Sequence, residues 1–156
     1  MRAVFVSDCF SNATASTDSN RPDSIRWAPK MAVWAPTEPA VCIRIMGLPA
    51  PHRFGPFLAV PVEHGATFDF AQVADGEAVH PQHYAFLVTE DDFDQIYGRI
   101  RERGIEHYPE PHLGRRNEIN HNDGGRGVYW CDPSGHFLEI LTVPYGGWPE
   151  GSPHVP

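Results

Sequence analysis

One carboxylate in this chain sits where a carboxylate is costly. The segment Gly127-Val128-Tyr129-Trp130-Cys131-Asp132-Pro133-Ser134-Gly135-His136-Phe137-Leu138-Glu139-Ile140-Leu141-Thr142 reads as two antiparallel strands joined by a tight Asp-Pro-Ser-Gly turn. Pro presets φ at the first inner turn position and Gly tolerates the strained end. Side chains alternate along a strand, so Phe137, Glu139 and Leu141 share one face while His136, Leu138 and Ile140 share the other. A carboxylate between Phe and Leu can be buried only against a cation or several donors. On an edge strand it would instead face water. The strand alone leaves both readings open, and the first makes Glu139 a site candidate.

The other reactive side chains carry less signal. His136 follows the turn and faces away from Glu139, as a structural hydrogen-bonding histidine would. His64 falls in a predicted hairpin turn, and His80, His107, His112, His121 and His154 lie in loops or edges without a partner at ligand spacing. Gly124-Gly125-Arg126-Gly127 contains no Walker or dinucleotide fingerprint and reads as hairpin turn chemistry. Cys9, Cys42 and Cys131 are too few and too scattered for a disulfide framework or a zinc cluster, which suits a reducing cytoplasm. Cys131, inside a predicted strand, reads as a small buried hydrophobe.

The elements that must position Glu139 are clearest after residue 80. His83 to Val88 reads as a strand. Thr89 then caps a helix, with Asp92 three residues on, and Phe93, Ile96, Tyr97 and Ile100 form its apolar stripe before Gly104 closes it. Ile105 to Tyr108 reads as a short strand, and a polar loop from Leu113 to Arg126 leads into the hairpin. Earlier, Val41 to Met46 followed by Gly47 reads as a helix end with a Gly cap. Phe57 to Val62, a His64-Gly65 turn and Ala66 to Ala71 read as a hairpin. The two halves look like copies of one βαβββ unit. Residues 1–40 are atypical and partly irregular, with a polar tract at Ser11 to Asn20 and Pro22, Pro29, Pro36 and Pro39 after it. The expected division is therefore 1–40, then 41–79 as the remainder of the first module, 80–145 as the second module, and 146–156 as an irregular tail.

At 156 residues the length suits one folded domain. Twelve Lys and Arg against 20 Asp and Glu give a net charge of −8, which carries no electrostatic footprint for nucleic acid or an anionic membrane. Met1 to Val6 offers too short an apolar run for a signal peptide, and no stretch reaches transmembrane length. The expectation is a cytoplasmic protein acting on a small molecule.

With these elements the chain resembles the vicinal oxygen chelate superfamily, which includes glyoxalase I, extradiol dioxygenases, fosfomycin-resistance transferases and bleomycin-resistance proteins. The resemblance spans residues 41–145. It rests on the strand from His83 to Val88, the helix with Ile105 after it, the Gly127 to Ile140 run, the helix end at Gly47-Leu48 and the strand Ala66 to Ala71. It implies an α+β fold in which paired βαβββ modules form a curled, cup-shaped mixed sheet around one divalent metal ion, with homodimers common.

Carried over by position, the resemblance implies Asp69, His83 and Glu139 as metal ligands, with Glu139 also serving as catalytic base. Alternation agrees for Asp69, which shares a face with Thr67 and Ala71 amid apolar neighbours. A set of one imidazole and two carboxylates would accept Mn, Fe, Ni, Zn or Mg. Arg126 near the cup mouth, Tyr129 and Phe68 are the expected substrate-binding residues, with Arg115 and Arg116 as further cations in the same loop. The family's usual first-strand His has no counterpart, since no His precedes His52. Either a strand near residues 25–34 puts Trp27 in that place, or Ala3 to Val6 is the strand and the polar tract an insertion. A third alternative is that the first 40 residues are not the family's native segment. Asp8, Asp23 or Glu38 are conceivable substitutes.

Two functions follow. The first is a metal-dependent enzyme of lyase, isomerase or dioxygenase type acting on a small oxygenated molecule. The alternative is a metal-free drug-binding protein of bleomycin-resistance type, its cup lined by Phe57, Phe68, Phe70, Tyr84, Phe86, Tyr129 and Trp130. A crippled copy of either is a third possibility.

Overall fold

A computed structural model of the chain describes residues 30–32, 39–62, 67–71 and 79–151. The first half contains β1 (Lys30–Ala32), α1 (Pro39–Met46), β2 (His52–Phe54), β3 (Phe57–Pro61) and β4 (Thr67–Ala71). The second contains β5 (His83–Leu87), α2 (Glu90–Glu102), β6 (His107–Tyr108), β7 (Gly127–Cys131) and β8 (Phe137–Leu141). They form two four-stranded sheets, ordered β1-β4-β3-β2 and β5-β8-β7-β6. In each sheet the first strand runs parallel to the last and the other neighbours are antiparallel. This is the paired βαβββ arrangement expected from the sequence. Strand β1 falls within the 25–34 alternative. Ala3 to Val6, Asp8, Asp23, Trp27, Glu38 and the His64-Gly65 turn lie outside the described residues.

Local chemistry sets the helix ends. Thr89 Oγ1 accepts the Asp92 N–H at 3.1 Å, with Glu90, Asp91 and Asp92 in the first turn of α2 and Arg99 and Arg101 in the last. Both charge placements oppose the helix dipole. Gly104 closes α2 at φ 63° and Gly47 follows α1 at φ 70°, conformations that cost a residue with a Cβ. Arg99 Nε donates to Ile45 O at 2.7 Å, tying the end of α1 to α2.

Alternation then divides each sheet into two faces. Leu58, Val60, Phe68 and Phe70 in the first sheet pack into one core with Tyr84, Phe86, Val128, Trp130, Leu138 and Ile140 in the second. Ile43, Ile45 and Met46 of α1 and Phe93, Ile96 and Ile100 of α2 cover that face. Burying each of the large side chains contributes about 1.5–3 kcal/mol. The intervening residues face away from the helices, and among them are Asp69 and Glu139.

The two sheets repeat one another closely. Asp69 and Glu139 are each the middle residue of a five-residue closing strand. Each pairs with the middle residue of the strand before it, Ala59 for Asp69 and Tyr129 for Glu139. On their other side, Asp69 pairs with Lys30 and Glu139 with Ala85. Two residues before Ala85 on β5 is His83; the matching first-module position lies outside the described residues.

Candidate functional site

The site is built on the helix-free face of the second sheet. Strands β5, β8 and β7 lie side by side there and present His83, Glu139 and Tyr129. Glu139 is 1% exposed, yet it is not isolated. His83 Nε2 lies 3.0 Å from Glu139 Oε2, and the Tyr145 hydroxyl donates to the same oxygen. The Tyr129 and Tyr145 hydroxyls are 3.3 Å apart. The His83 and Tyr129 rings are tilted against each other with centroids 5.7 Å apart. Of the two sequence readings of Glu139, buried and met by donors or exposed on an edge, the first holds.

Burial, reinforced by the Glu139 charge and by hydrogen bonds to Tyr145 and Glu139, pushes the Tyr129 phenol far above its ordinary value. Tyr129 therefore keeps its proton and acts as a donor. The cluster combines one carboxylate, one imidazole and two phenols, which together can hold a cation or move a proton. Beside it Ala85, Leu87 and Leu141 form an apolar patch on which Trp148 packs.

Tyr145 is the member that sequence reasoning missed. It follows β8 in a Pro144-Tyr145-Gly146-Gly147-Trp148 run with no periodicity to assign its direction. Two Gly residues beside two aromatics were the available signal. Its neighbour is anchored, because Gly146 N donates to Asp123 Oδ2 at 3.1 Å.

Asp69 does not join the pair. It lies in the other sheet, with Oδ1 buried and without a hydrogen-bond partner among the described residues. No group of three His, Cys, Asp or Glu side chains suited to a metal occurs among the described residues. Of the three expected ligands, the described residues bring His83 and Glu139 together, while Asp69 lies on β4, which closes the other sheet.

Two of the expected substrate contacts lie on the helix side of the sheets. Phe68 is 1% exposed and packs edge-on against Phe70, Tyr84 and Phe86, on the face opposite Asp69. Arg126 reaches the first turns of α2. There it donates to Glu90 Oε2 and Asp94 Oδ1, each at 2.6 Å, and to Glu90 O at 3.1 Å, with its guanidinium 4.3 Å from the Phe93 ring centroid. It is a structural clamp on the helix side. Tyr129 does lie in the cluster.

Other expectations resolve in the same way. Phe70, Tyr84, Phe86 and Trp130 join Phe68 in the core, so the aromatic cup lining proposed for a binding protein is absent at those positions. His136 is buried, and its Nδ1 accepts the Gln82 N–H at 3.0 Å, a structural role. His107 is buried on β6, with Nδ1 2.9 Å from Ile105 O. Cys131 ends β7 exposed, not buried. A cavity of about 420 Å³ opens between the end of α1, the end of β3 and α2, lined by Met46, Leu48, Val62, Gln95 and Arg99 among others. None of the expected site residues lines it.

No established protein-family profile matches the chain. The solved structure of oxidase ChaP-H1 is 50% identical, covering 80% of this chain and 100% of that one, with a TM-score of 0.70. A metallothiol transferase FosB from Shouchella clausii (strain KSM-K16) is 35% identical over 60 residues. That match spans 38% of this chain and 37% of the relative, so the chain matches only about a third of that protein's length. A glyoxalase/dioxygenase from Nostoc punctiforme is 18% identical with a TM-score of 0.55, covering 81% of this chain and 97% of its own. At that identity the likeness is one of fold alone.

Proposed function

Because the chain belongs to the vicinal oxygen chelate superfamily, with an oxidase 50% identical to it over that relative's whole length, we propose that it is a divalent-metal-dependent enzyme that oxidises a small oxygenated molecule with dioxygen as the electron acceptor. The observation that carries this is the Glu139 carboxylate, 1% exposed and 3.0 Å from His83 Nε2. His83 and Glu139 are the proposed cation ligands, and Asp69 is left out of the set. Two donors 3.0 Å apart match the spacing of adjacent ligands around an octahedral ion with bonds of about 2.1 Å.

When bound, the cation would supply Lewis-acid charge for developing negative charge on a substrate oxygen. The chain's own residues do the rest. The Glu139 carboxylate is the proposed catalytic proton acceptor. Tyr129 keeps its proton and donates toward the neighbouring oxygens. Leu87, Leu141 and Trp148 exclude water beside the pair and receive an apolar substrate body. A binding cup would gain nothing from a buried carboxylate, whose desolvation costs several kcal/mol.

Metal analysis of protein purified without a metal-affinity tag, alongside His83→Ala and Glu139→Gln, tests the reading. The expected result is about one equivalent of a divalent transition metal, lost in both variants. Absence of metal after reconstitution with Mn²⁺, Fe²⁺, Ni²⁺ and Zn²⁺ would overturn it.

A further inference from the structure

The contact between Tyr145 and Glu139 is not a by-product of packing. The Tyr145 side chain belongs to a residue 46% exposed, so burial of its ring does not force the hydroxyl inward. The phenol nevertheless leaves water to donate to a carboxylate oxygen that already faces His83.

The segment that carries it is held on both sides. Before it, Thr142 N donates to Arg126 O at 2.9 Å, continuing the β8 pairing by one step. After it, Gly147 N donates to Pro144 O at 2.9 Å, closing a turn around Tyr145. Gly146 N is taken up by Asp123 Oδ2, and Trp148 sits on the Ala85, Leu87 and Leu141 patch. Asp123 itself adopts φ 53°, a conformation that costs a non-glycine residue about 1 kcal/mol or more. The loop before β7 thus holds the segment after β8 through the Asp123 side chain.

A carboxylate oxygen has two lone-pair directions. At Glu139 Oε2 the Tyr145 hydroxyl donates to one, and His83 Nε2 lies 3.0 Å from the same oxygen. A donor fixed on one lone pair restricts rotation of the carboxylate and leaves the other lone pair of that oxygen for the His83 side. Hydrogen-bonded partners of this kind set ligand orientation at metal sites, and removing one typically costs 10–100-fold in affinity.

We propose that Tyr145 is a positioning residue: its phenol orients the Glu139 carboxylate toward His83 so that the two form a preorganised cation site. This rests on the cation reading above and adds a residue from outside the strands. Tyr145 need not leave for the site to fill, which separates this arrangement from a tyrosine that blocks the site by competing for the same lone pair.

The test is calorimetric titration of Co²⁺ into the metal-stripped wild type, Tyr145→Phe, Asp123→Ala and His83→Ala, with the visible Co²⁺ absorption bands recorded in parallel. The expected result is one Co²⁺ per wild-type chain, binding lost in His83→Ala, and binding weakened about 10–100-fold in Tyr145→Phe with altered bands. Asp123→Ala, which frees Gly146, should weaken binding in the same direction but less. The Tm of metal-stripped Tyr145→Phe should fall by about 3–12 °C, from the loss of one hydrogen bond to a charged group. Co²⁺ affinity in Tyr145→Phe that equals or exceeds wild type would overturn the positioning role while leaving the cation site standing. A lowered Tm with unchanged affinity would do the same, by assigning Tyr145 to the fold. Failure of the wild type to bind Co²⁺, or binding indifferent to His83→Ala, would overturn both the role and the cation reading.

Discussion

Replacing Arg126 by Ala separates a structural clamp from a substrate contact. The side chain is 23% exposed and its partners Glu90 and Asp94 are 55% and 67% exposed. Solvent screens such pairs, so each ion pair contributes about 0.5 kcal/mol. The Glu90 carbonyl hydrogen bond adds about 0.5–1 kcal/mol. The guanidinium over Phe93 at 4.3 Å adds about 0.5–1 kcal/mol more. Together these predict a loss of about 2–3 kcal/mol, or a Tm lowered by roughly 4–12 °C for a chain of this size. Urea denaturation followed by tryptophan fluorescence would read it, and the gap from wild type should shrink in about 1 M NaCl as the ion pairs are screened. Co²⁺ affinity should not change. A loss below about 0.5 kcal/mol with an unchanged m-value would refute the clamp and return Arg126 to the list of substrate contacts.

Two further outcomes are expected. Gly125→Ala would place a Cβ 2.7 Å from Val143 Cγ2 and 2.9 Å from Thr142 Oγ1, at a cost of about 1–3 kcal/mol; a calorimetric Tm unchanged within about 1 °C would contradict the packing. Although Cys131 is exposed at the end of β7, partial desolvation of its sulfur, with help from the Asp132 and Glu106 charges, raises the thiol above its ordinary value, so little thiolate is present near neutral pH. In a Cys9→Ser, Cys42→Ser background, iodoacetamide should modify it slowly at pH 7 and faster as pH rises past the midpoint of an ordinary thiol. A rate profile centred at or below that midpoint would be inconsistent with the raised value.

The second module was legible because its signals are local. The Asp132 to Gly135 turn fixes the β7–β8 register, with Gly135 at φ 88°, and period-two alternation then turns Glu139 away from Leu138 and Ile140. Thr89 and the Phe93, Ile96, Ile100 stripe likewise define α2. The same alternation should have excluded Phe68. Once Asp69 faces away from the helices, its neighbour must face them. The contacts of Arg126 were not legible for a different reason: its partners on α2 lie 36 and 32 residues earlier, and nothing local points to them. Cys131 is the last residue of its strand, where burial no longer follows from strand membership. Tyr145 lies beyond the last periodic element, and its direction is set by Asp123 and the patch under Trp148, both distant in sequence.

The parallel pairing of β5 with β8 has a consequence in time. His83 and Glu139 are 56 residues apart, and α2, β6 and β7 are all made between them. At about 5–20 residues per second, a ribosome takes roughly 3–11 s to deliver Glu139 after His83. Throughout that interval β5, with its apolar Tyr84 and Phe86, has no strand neighbour, because β8 is its one strand partner among the described residues. Unpaired apolar strands are what chaperones bind and what aggregates recruit. The nascent module therefore passes through its most vulnerable state just before its two chemical groups first meet, and non-local closure of this kind is intrinsically slow. Yield on expression should depend on translation rate and temperature more than the stability of the finished fold would suggest.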